Sequence, residues 1–235
     1  VQDDIDQLRE YEGYIFGSGN RGSAVTIRVF GTPENTLEKR VLPTWLKLQA
    51  IRPRETFELV IQSHPLGEIP DQALAAILLS LRLGSLGLRA RRGGGSLGVR
   101  KAVYDPEESA EPQPNLVAYL RRPVPEDQAS LGRDLRECLT AARQTVSDIV
   151  TGTPFGNLPT YPVLHPDHAR VLVGPAHKDY LSALGSMWNA MQKIRGRSTR
   201  GQQKIFGYTG RNRFASPVHM RVALSGELRD ERGAP

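Results

Sequence analysis

Alternating apolar and polar positions predict short strands along the chain. Residues 24–30 (AVTIRVF) and 56–62 (TFELVIQ) alternate and are rich in β-branched and aromatic side chains, which is typical of strands. Shorter patterns of the same kind predict further strands at 97–103, 116–120, 170–173 and 218–224.

Apolar residues at helical spacing predict three helices. Residues 71–83 form a nearly buried helix that begins after Pro70 and is ended by Gly84. Residues 127–149 carry one apolar stripe that includes Cys138, which predicts a core residue rather than a nucleophile. A third helix at 178–194 has an apolar side that we interpret as core rather than as a cofactor site, formed by Leu181, Leu184, Met187, Trp188 and Met191.

Composition places the chain among globular proteins. It has 235 residues, of which 39% are hydrophobic and 24% charged. The longest apolar run, 73–83, contains Arg82 and is too short to span a membrane. One cysteine excludes a disulfide framework and a cysteine-based zinc site. Because residues 1–12 lack the pattern of a signal peptide, we expect a soluble, cytoplasmic protein. The first residue is Val1 and not Met, which leaves open whether the sequence starts inside a longer protein.

The charge is segregated. The chain has 31 basic and 25 acidic residues, and 25 of the basic residues are arginine. Two windows without any acid contain six and eight basic residues; we call 72–104 the first basic island and 180–226 the second. Frequent arginine has two interpretations, a bias of the coding sequence or the bidentate binding of phosphate. Its concentration in islands favours binding of a polyanion, and nucleic acid in particular, over a merely solvated basic face.

The first island contains a glycine-rich loop, residues 84–98 (GSLGLRARRGGGSLG). Glycines let a backbone approach phosphates closely, and the interleaved arginines neutralise phosphate charge. The loop follows a predicted helix and lacks the GxxxxGK[ST] pattern, so it is not a nucleotide-binding P-loop. A flexible Gly/Arg linker is the alternative interpretation.

Two distant segments, 15–29 and 205–222, resemble each other. Both have IFG, then a turn with glycine and arginine, then Ser-x-Val-x-apolar-Arg-Val. This predicts a duplicated unit with an α+β fold, in the form of two tandem ferredoxin-like (RRM-like) domains. We expect the domains to cover residues 1–112 and 113–235, divided at the acidic, proline-rich stretch 105–114.

Four segments together resemble the RAMP superfamily of CRISPR proteins. The glycine-rich loop is similar to the family pattern GGxGxRxRRGxGS, with Ser85 and Gly94 as departures. IFGSGNRGSAVTIRV resembles the family's IFGS segment, TFELVIQ its Phe-bearing strand, and RFASPV its R-x-ASP-[LV] turn. Together these segments look like the first RAMP subunit of type III-B Cmr effector complexes, and the resemblance runs from about residue 14 to 222. Members usually begin with a strand and a helix that carries K-G-x-x-R, but here only residues 1–13 precede the matched region. Either the sequence is a fragment whose first strand and helix are missing, or it is a shortened member of the family.

The resemblance implies an RNA-binding subunit that caps the effector near the 3′ end of the guide. It would help to hold crRNA and captured target RNA beside other RAMP subunits, which are the ones credited with target cutting. We expect the protein to have no catalytic residue, no cofactor and no metal site. The candidate RNA contacts are Arg21, Arg89, Arg91, Arg92, Gly93, Gly94, Gly95, Ser96, Arg195, Arg197, Arg200, Lys204, Arg211 and Arg213.

Two other functions stay open. Some RAMP proteins are metal-independent endoribonucleases that process crRNA precursors with a histidine near such a loop, and His219 is the best candidate of the five histidines. His165 and His168 lack further nearby ligands for a metal. The other possibility is a basic scaffold that binds only protein, which RNA binding at physiological salt would exclude.

Overall fold

The structure is a computed structural model, in which the chain divides into two compact units. The first unit comprises residues 1–74 with 150–152, and the second comprises 75–149 with 153–235. The structure describes residues 10, 12–15, 17–19, 22–31, 37–41, 47–51, 55–63, 69–85, 95–104, 115–147, 169–197 and 218–223.

The described residues of the first unit contain four strands in two antiparallel pairs. β1 (Val25–Phe30) pairs with β4 (Glu58–Ser63), from Val25 opposite Ser63 to Phe30 opposite Glu58. Between them in sequence, β2 (Leu37–Val41) pairs with β3 (Lys47–Ile51). The alternating pattern predicted β1 and β4, and both predictions are confirmed. It missed β2 and β3, whose sequences LEKRV and KLQAI have few β-branched or aromatic residues and therefore a weak strand signal.

A small apolar cluster forms the core of the first unit. Ile15, Val25 and Ala73 are buried together, with Ile61 and Ile69 packed against them. Along β1 only Val25 is buried; the apolar residues Ile27, Val29 and Phe30 are about half exposed. The alternation therefore gave the correct strand, but the burial of its apolar face is restricted to one end.

The IFGS segment is tied to the start of β1. The Ala24 amide donates to the Tyr14 carbonyl at 3.0 Å, and the Ser23 hydroxyl donates to the Ile15 carbonyl at 2.6 Å. Gly17 has φ of +82°, a conformation that side chains disfavour, which explains the glycine at this turn. These bonds hold the IFGS segment against the residues that directly precede β1.

Four helices follow in the part of the chain that the structure describes. α1 (Asp71–Arg82) begins at Pro70, whose carbonyl accepts the amides of Ala73 and Leu74, and the division between the two units falls inside this helix. The others are α2 (Asn115–Arg121), α3 (Gln128–Ser147) and α4 (Tyr180–Arg197). The predicted helices at 71–83, 127–149 and 178–194 are confirmed within a few residues.

Aspartate side chains cap α3 and α4. Asp127 accepts the Ser130 amide and Asp179 accepts the Ser182 amide, each at 2.8 Å. These backbone hydrogen bonds stabilise the ionised carboxylates and lower the pKa of both aspartates. The caps explain why each helix starts where it does.

The helices supply the core of the second unit. Leu78 of α1 and Cys138 of α3 are fully buried, and α2 contacts α3. Leu184 and Met191 of α4 are also buried, as predicted, whereas Leu181 is more than half exposed. The prediction of Cys138 as a core residue is confirmed.

Four predicted strands are wrong. Residues 116–120 lie in α2, where Leu116, Val117 and Leu120 are buried at helical spacing. Over only five residues, this spacing cannot be distinguished from the alternation of a strand. Residues 170–173 form no strand because Val173 packs on Gly132 of α3 instead of facing a sheet, and Leu172 is 92% exposed.

In the other two predicted strands, at 97–103 and 218–224, backbone groups bond to side chains. The carbonyls of Leu97 and Ala102 accept from Arg221 and Arg121, so residues 97–103 form no ladder. In the predicted strand 218–224, the described residues 218–223 form no strand either, and the Val222 amide donates to the Ser96 hydroxyl.

The fold is therefore α+β, with small antiparallel sheets and helices. The tandem ferredoxin-like arrangement and the division at residue 112 stay predictions, and most of the second copy of the repeat, 205–217, lies outside the described residues. No helix in the described part of the chain is long and apolar enough to cross a membrane.

Candidate nucleic-acid interface

The glycine-rich loop leaves the end of a rigid helix. The Gly84 amide donates to the Leu79 carbonyl at 2.9 Å and closes the last turn of α1. A Cβ on Gly84 would lie 2.5 Å from the Ser80 carbonyl oxygen, so no side chain fits there. The loop re-enters the described structure at Gly95, whose φ of +66° again suits glycine.

Both stems of the loop contact the segment 218–223. Arg221 donates to the Gly84 carbonyl at 3.2 Å and to the Leu97 carbonyl. The neighbouring Val222 amide donates to the Ser96 hydroxyl at 3.1 Å. The two ends of the loop are thus brought together on a segment that is more than 120 residues away in sequence.

A second arginine, Arg82, is buried at the end of α1, directly before the loop. It is 5% exposed, and its guanidinium donates to the carbonyls of Tyr119, Leu120 and Arg122. These carbonyls belong to the C-terminal end of α2, where a cation is favoured by the helix dipole. Arg82 therefore anchors the start of the loop to α2.

The two arginines give the base of the loop a positive character. Burial, and then the charge of Arg82, lower the pKa of Arg221 to about 10, so Arg221 stays protonated at neutral pH. Within the described residues, neither guanidinium is paired with a carboxylate, and the Nε atom of each is buried without a hydrogen-bond acceptor. The charge of this pair is balanced by backbone carbonyls rather than by acids.

The acidic side chains nearby, Asp134 and Glu137 of α3, interact with Arg122, which directly follows α2. Arg122 pairs with Glu137 at 2.7 Å and lies 3.7 Å from Asp134, and the hydrogen bond to Glu137 is the main cause that raises the pKa of Arg122. Burial, and then the charge of Asp134, raise the pKa of the Cys138 thiol to about 11. A neutral, buried thiol is not a nucleophile at physiological pH.

The predicted RNA contacts are partly described. Gly95 is exposed, and Ser96 is half-buried and bonded to Val222. Arg195 and Arg197 lie in the last turn of α4, with Arg197 exposed. The remaining predicted contacts lie outside the described residues: Arg21, Arg89, Arg91, Arg92, Gly93, Gly94, Arg200, Lys204, Arg211 and Arg213.

Two of the five histidines lie in the described part of the chain. His177 and His219 are exposed, and His64, His165 and His168 lie outside it. Among the residues that are described, no group of three or more His, Cys, Asp or Glu could hold a metal ion.

Arg82 and Arg221 were predicted only as charges of the two basic islands and not as contacts of the loop. A signal for Arg82 was present, because it continues the four-residue spacing of the buried Leu74 and Leu78 on α1. For Arg221 there was none, since its partners are 124 and 137 residues away.

Comparisons with known proteins agree with the sequence resemblance at the level of fold. No protein-family model matches the chain, and no curated protein matches it in sequence. The crystal structure of apo Cmr1 from Pyrococcus furiosus is similar, with a TM-score of 0.57 and 20% identity over 97% of this chain. The match spans 66% of the Cmr1 chain, which is slightly less than two thirds of its length. The chain therefore has a Cmr1-like fold, as its glycine-rich and IFGS segments predict.

Proposed function

We propose that the protein is an RNA-binding RAMP subunit of a type III-B CRISPR effector complex. It caps the complex near the 3′ end of the guide and helps to hold crRNA and captured target RNA for antiviral defence. Its partners are these RNAs and the other RAMP subunits, and it works in the cytoplasm. The Cmr1-like fold supports membership of a multisubunit complex of the Cmr type.

One observation carries the RNA-binding part of the proposal. An arginine-bearing, glycine-rich loop has both stems joined at a base with two guanidiniums, neither of which pairs with a carboxylate of the described residues. Such a loop presents backbone N–H groups and positive charge without a competing acid, which suits the phosphates of an RNA strand. It contacts the backbone and not the bases, so sequence discrimination comes from pairing with the guide.

The test is the salt dependence of binding to a single-stranded RNA. Replacing Arg89, Arg91 and Arg92 together by Gln should weaken binding to all sequences, because up to three phosphate contacts are lost. The slope of log K against log[salt] should flatten by about 0.7 per lost contact.

A matched control removes the same charge elsewhere. Arg133, Arg136 and Arg143 are exposed on α3, outside both islands, and their joint replacement by Gln should leave the slope nearly unchanged. Equal slopes for the wild-type protein and the loop variant would contradict the assignment of the loop.

We propose that the subunit binds RNA without cleaving it. The alternative, an endoribonuclease, is kept because His219 is exposed and only two residues from Arg221 at the base of the loop. Denaturing electrophoresis of the binding samples decides between them. Intact RNA supports the binding subunit, and site-specific cleavage that His219→Ala abolishes supports the enzyme.

A further inference from the structure

Arg221 contacts both stems of the glycine-rich loop with one side chain. One terminal NH₂ group donates to the Gly84 carbonyl and the other donates to the Leu97 carbonyl. Both acceptors are backbone atoms, so the contact depends on the path of the loop and not on its side chains. A guanidinium is a rigid planar fork, and its two donors fix the separation of the two stems.

The two stems need this connection to different degrees. The first stem is already fixed, because Gly84 closes the last turn of α1 against Leu79. The second stem, at Gly95 to Leu97, lies in no helix or strand. Its bonds to the segment 218–223 include the Leu97 bond from Arg221 and the Ser96 bond from Val222. Arg221 therefore connects the end of α1 to a segment that has no regular secondary structure.

Joining the ends matters for binding by the residues between them. A loop whose ends are free samples many conformations, and RNA would have to order it on binding. Tying the ends removes part of that entropy loss beforehand. The loop arginines then engage phosphates as a group rather than one at a time.

We propose that Arg221 is a positioning residue that clamps the two stems of the glycine-rich loop and thereby preorganises it for RNA. The effect on RNA rests on the proposed function, whereas the clamp itself does not. The clamp also differs from a direct phosphate contact, because it requires the forked geometry of arginine and not only its positive charge.

The experiment compares Arg221→Lys and Arg221→Gln with wild-type protein in the full chain. Lysine keeps the charge but cannot bond two separated carbonyls as a planar fork. Hydrogen exchange of residues 95–98 is measured without RNA, and RNA binding is measured over a salt series. Arg133→Lys and Arg133→Gln, at an exposed position of α3, are the matched controls.

For the clamp, both Arg221 variants should exchange about tenfold faster at residues 95–98, because a stem that is released at the Leu97 carbonyl separates from the segment 218–223 and exposes its amides to water more often. The amides in the middle of α3 should be unchanged. Arg221→Lys should bind RNA almost as weakly as Arg221→Gln, with a salt slope reduced by more than the roughly 0.7 expected for one contact. The Arg133 variants should match the wild type in every readout.

The failures are distinguishable. Unchanged exchange at residues 95–98 overturns the clamp, and so does an Arg221→Lys variant that binds RNA like the wild type. Wild-type protein that binds no RNA overturns the proposed function, while the exchange result still decides the clamp. If Arg221→Gln does not fold, Ser96→Ala removes the neighbouring bond and should accelerate exchange of the same stem to a smaller degree.

Discussion

At the scale of single residues, the structure shows that two arginines of the basic islands serve the fold. Arg82 and Arg221 lie inside the two basic islands, yet both donate to backbone carbonyls within the protein. The charge of the islands was predictable from the sequence, but its division between fold and ligand was not. That division depends on tertiary partners, and only Arg82, which continues a buried helical stripe, left a local signal.

Replacing Arg82 should destabilise the protein strongly. Arg82→Met leaves the C-terminal carbonyls of α2 without their donor in a buried site, so the free energy of unfolding should fall by about 2–4 kcal/mol. Urea unfolding measures the change. Arg133→Met, at an exposed position of α3, should shift it by less than about 0.5 kcal/mol. Similar small effects for the two variants would contradict the anchoring role.

Cys138 should resist alkylation in the folded protein. Burial and Asp134 raise its pKa from an ordinary value of about 9 to about 11, so at pH 8 the side chain is a protonated, inaccessible thiol. Mass spectrometry after iodoacetamide treatment should find it modified only when urea is added. Rapid modification of the native protein would show that the site is open.

The same shift predicts a pH dependence of stability. Between about pH 9 and 11 the unfolded thiol loses its proton while the folded one keeps it, so the folded state binds more protons. The free energy of unfolding should therefore fall as the pH rises through this interval, by at most about 2–3 kcal/mol. Cys138→Ala should lack this component, and parallel pH profiles for the two proteins would argue against the shift.

At the scale of elements, the ends of helices explain much of the local sequence. Gly84 closes α1, and Asp127 and Asp179 begin α3 and α4. The long helices were predictable because their apolar period repeats over several turns. Short apolar runs were less informative: β1 and β4 were predicted correctly, but α2 resembled a strand over five residues, and the segments after residues 96 and 217 bond to side chains where a ladder was expected.

Two glycine substitutions should have opposite effects. Gly84→Ala places a Cβ 2.5 Å from the Ser80 carbonyl oxygen, so it should lower the free energy of unfolding by about 1–3 kcal/mol. Gly185 lies inside α4 with open space around its Cβ position. Gly185→Ala should therefore raise stability by about 0.5–1 kcal/mol. Thermal unfolding of both variants measures this, and a neutral Gly84→Ala would mean that the helix end rearranges easily.

At the scale of the whole molecule, sequence motifs led to the Cmr1-like fold that the structure has. The glycine-rich loop and the IFGS segment were informative because they reflect backbone requirements, such as the positive φ of Gly17 and Gly95. The tandem arrangement of domains, which the internal repeat predicts, stays a prediction, because most of the second copy of the repeat lies outside the described residues. The two compact units divide inside α1, where no composition shift or breaker marks a boundary.

The central claim, that RNA contacts the glycine-rich loop and the second basic island, is tested most directly by photo-crosslinking. Wild-type protein is irradiated with a single-stranded RNA that contains 4-thiouridine and is digested after glutamate, which leaves the loop within one peptide, 69–107. We predict crosslinks in that peptide and between residues 195 and 213, reduced in the Arg221→Lys variant. Crosslinks confined to other parts of the chain, or none at low salt, would contradict the account.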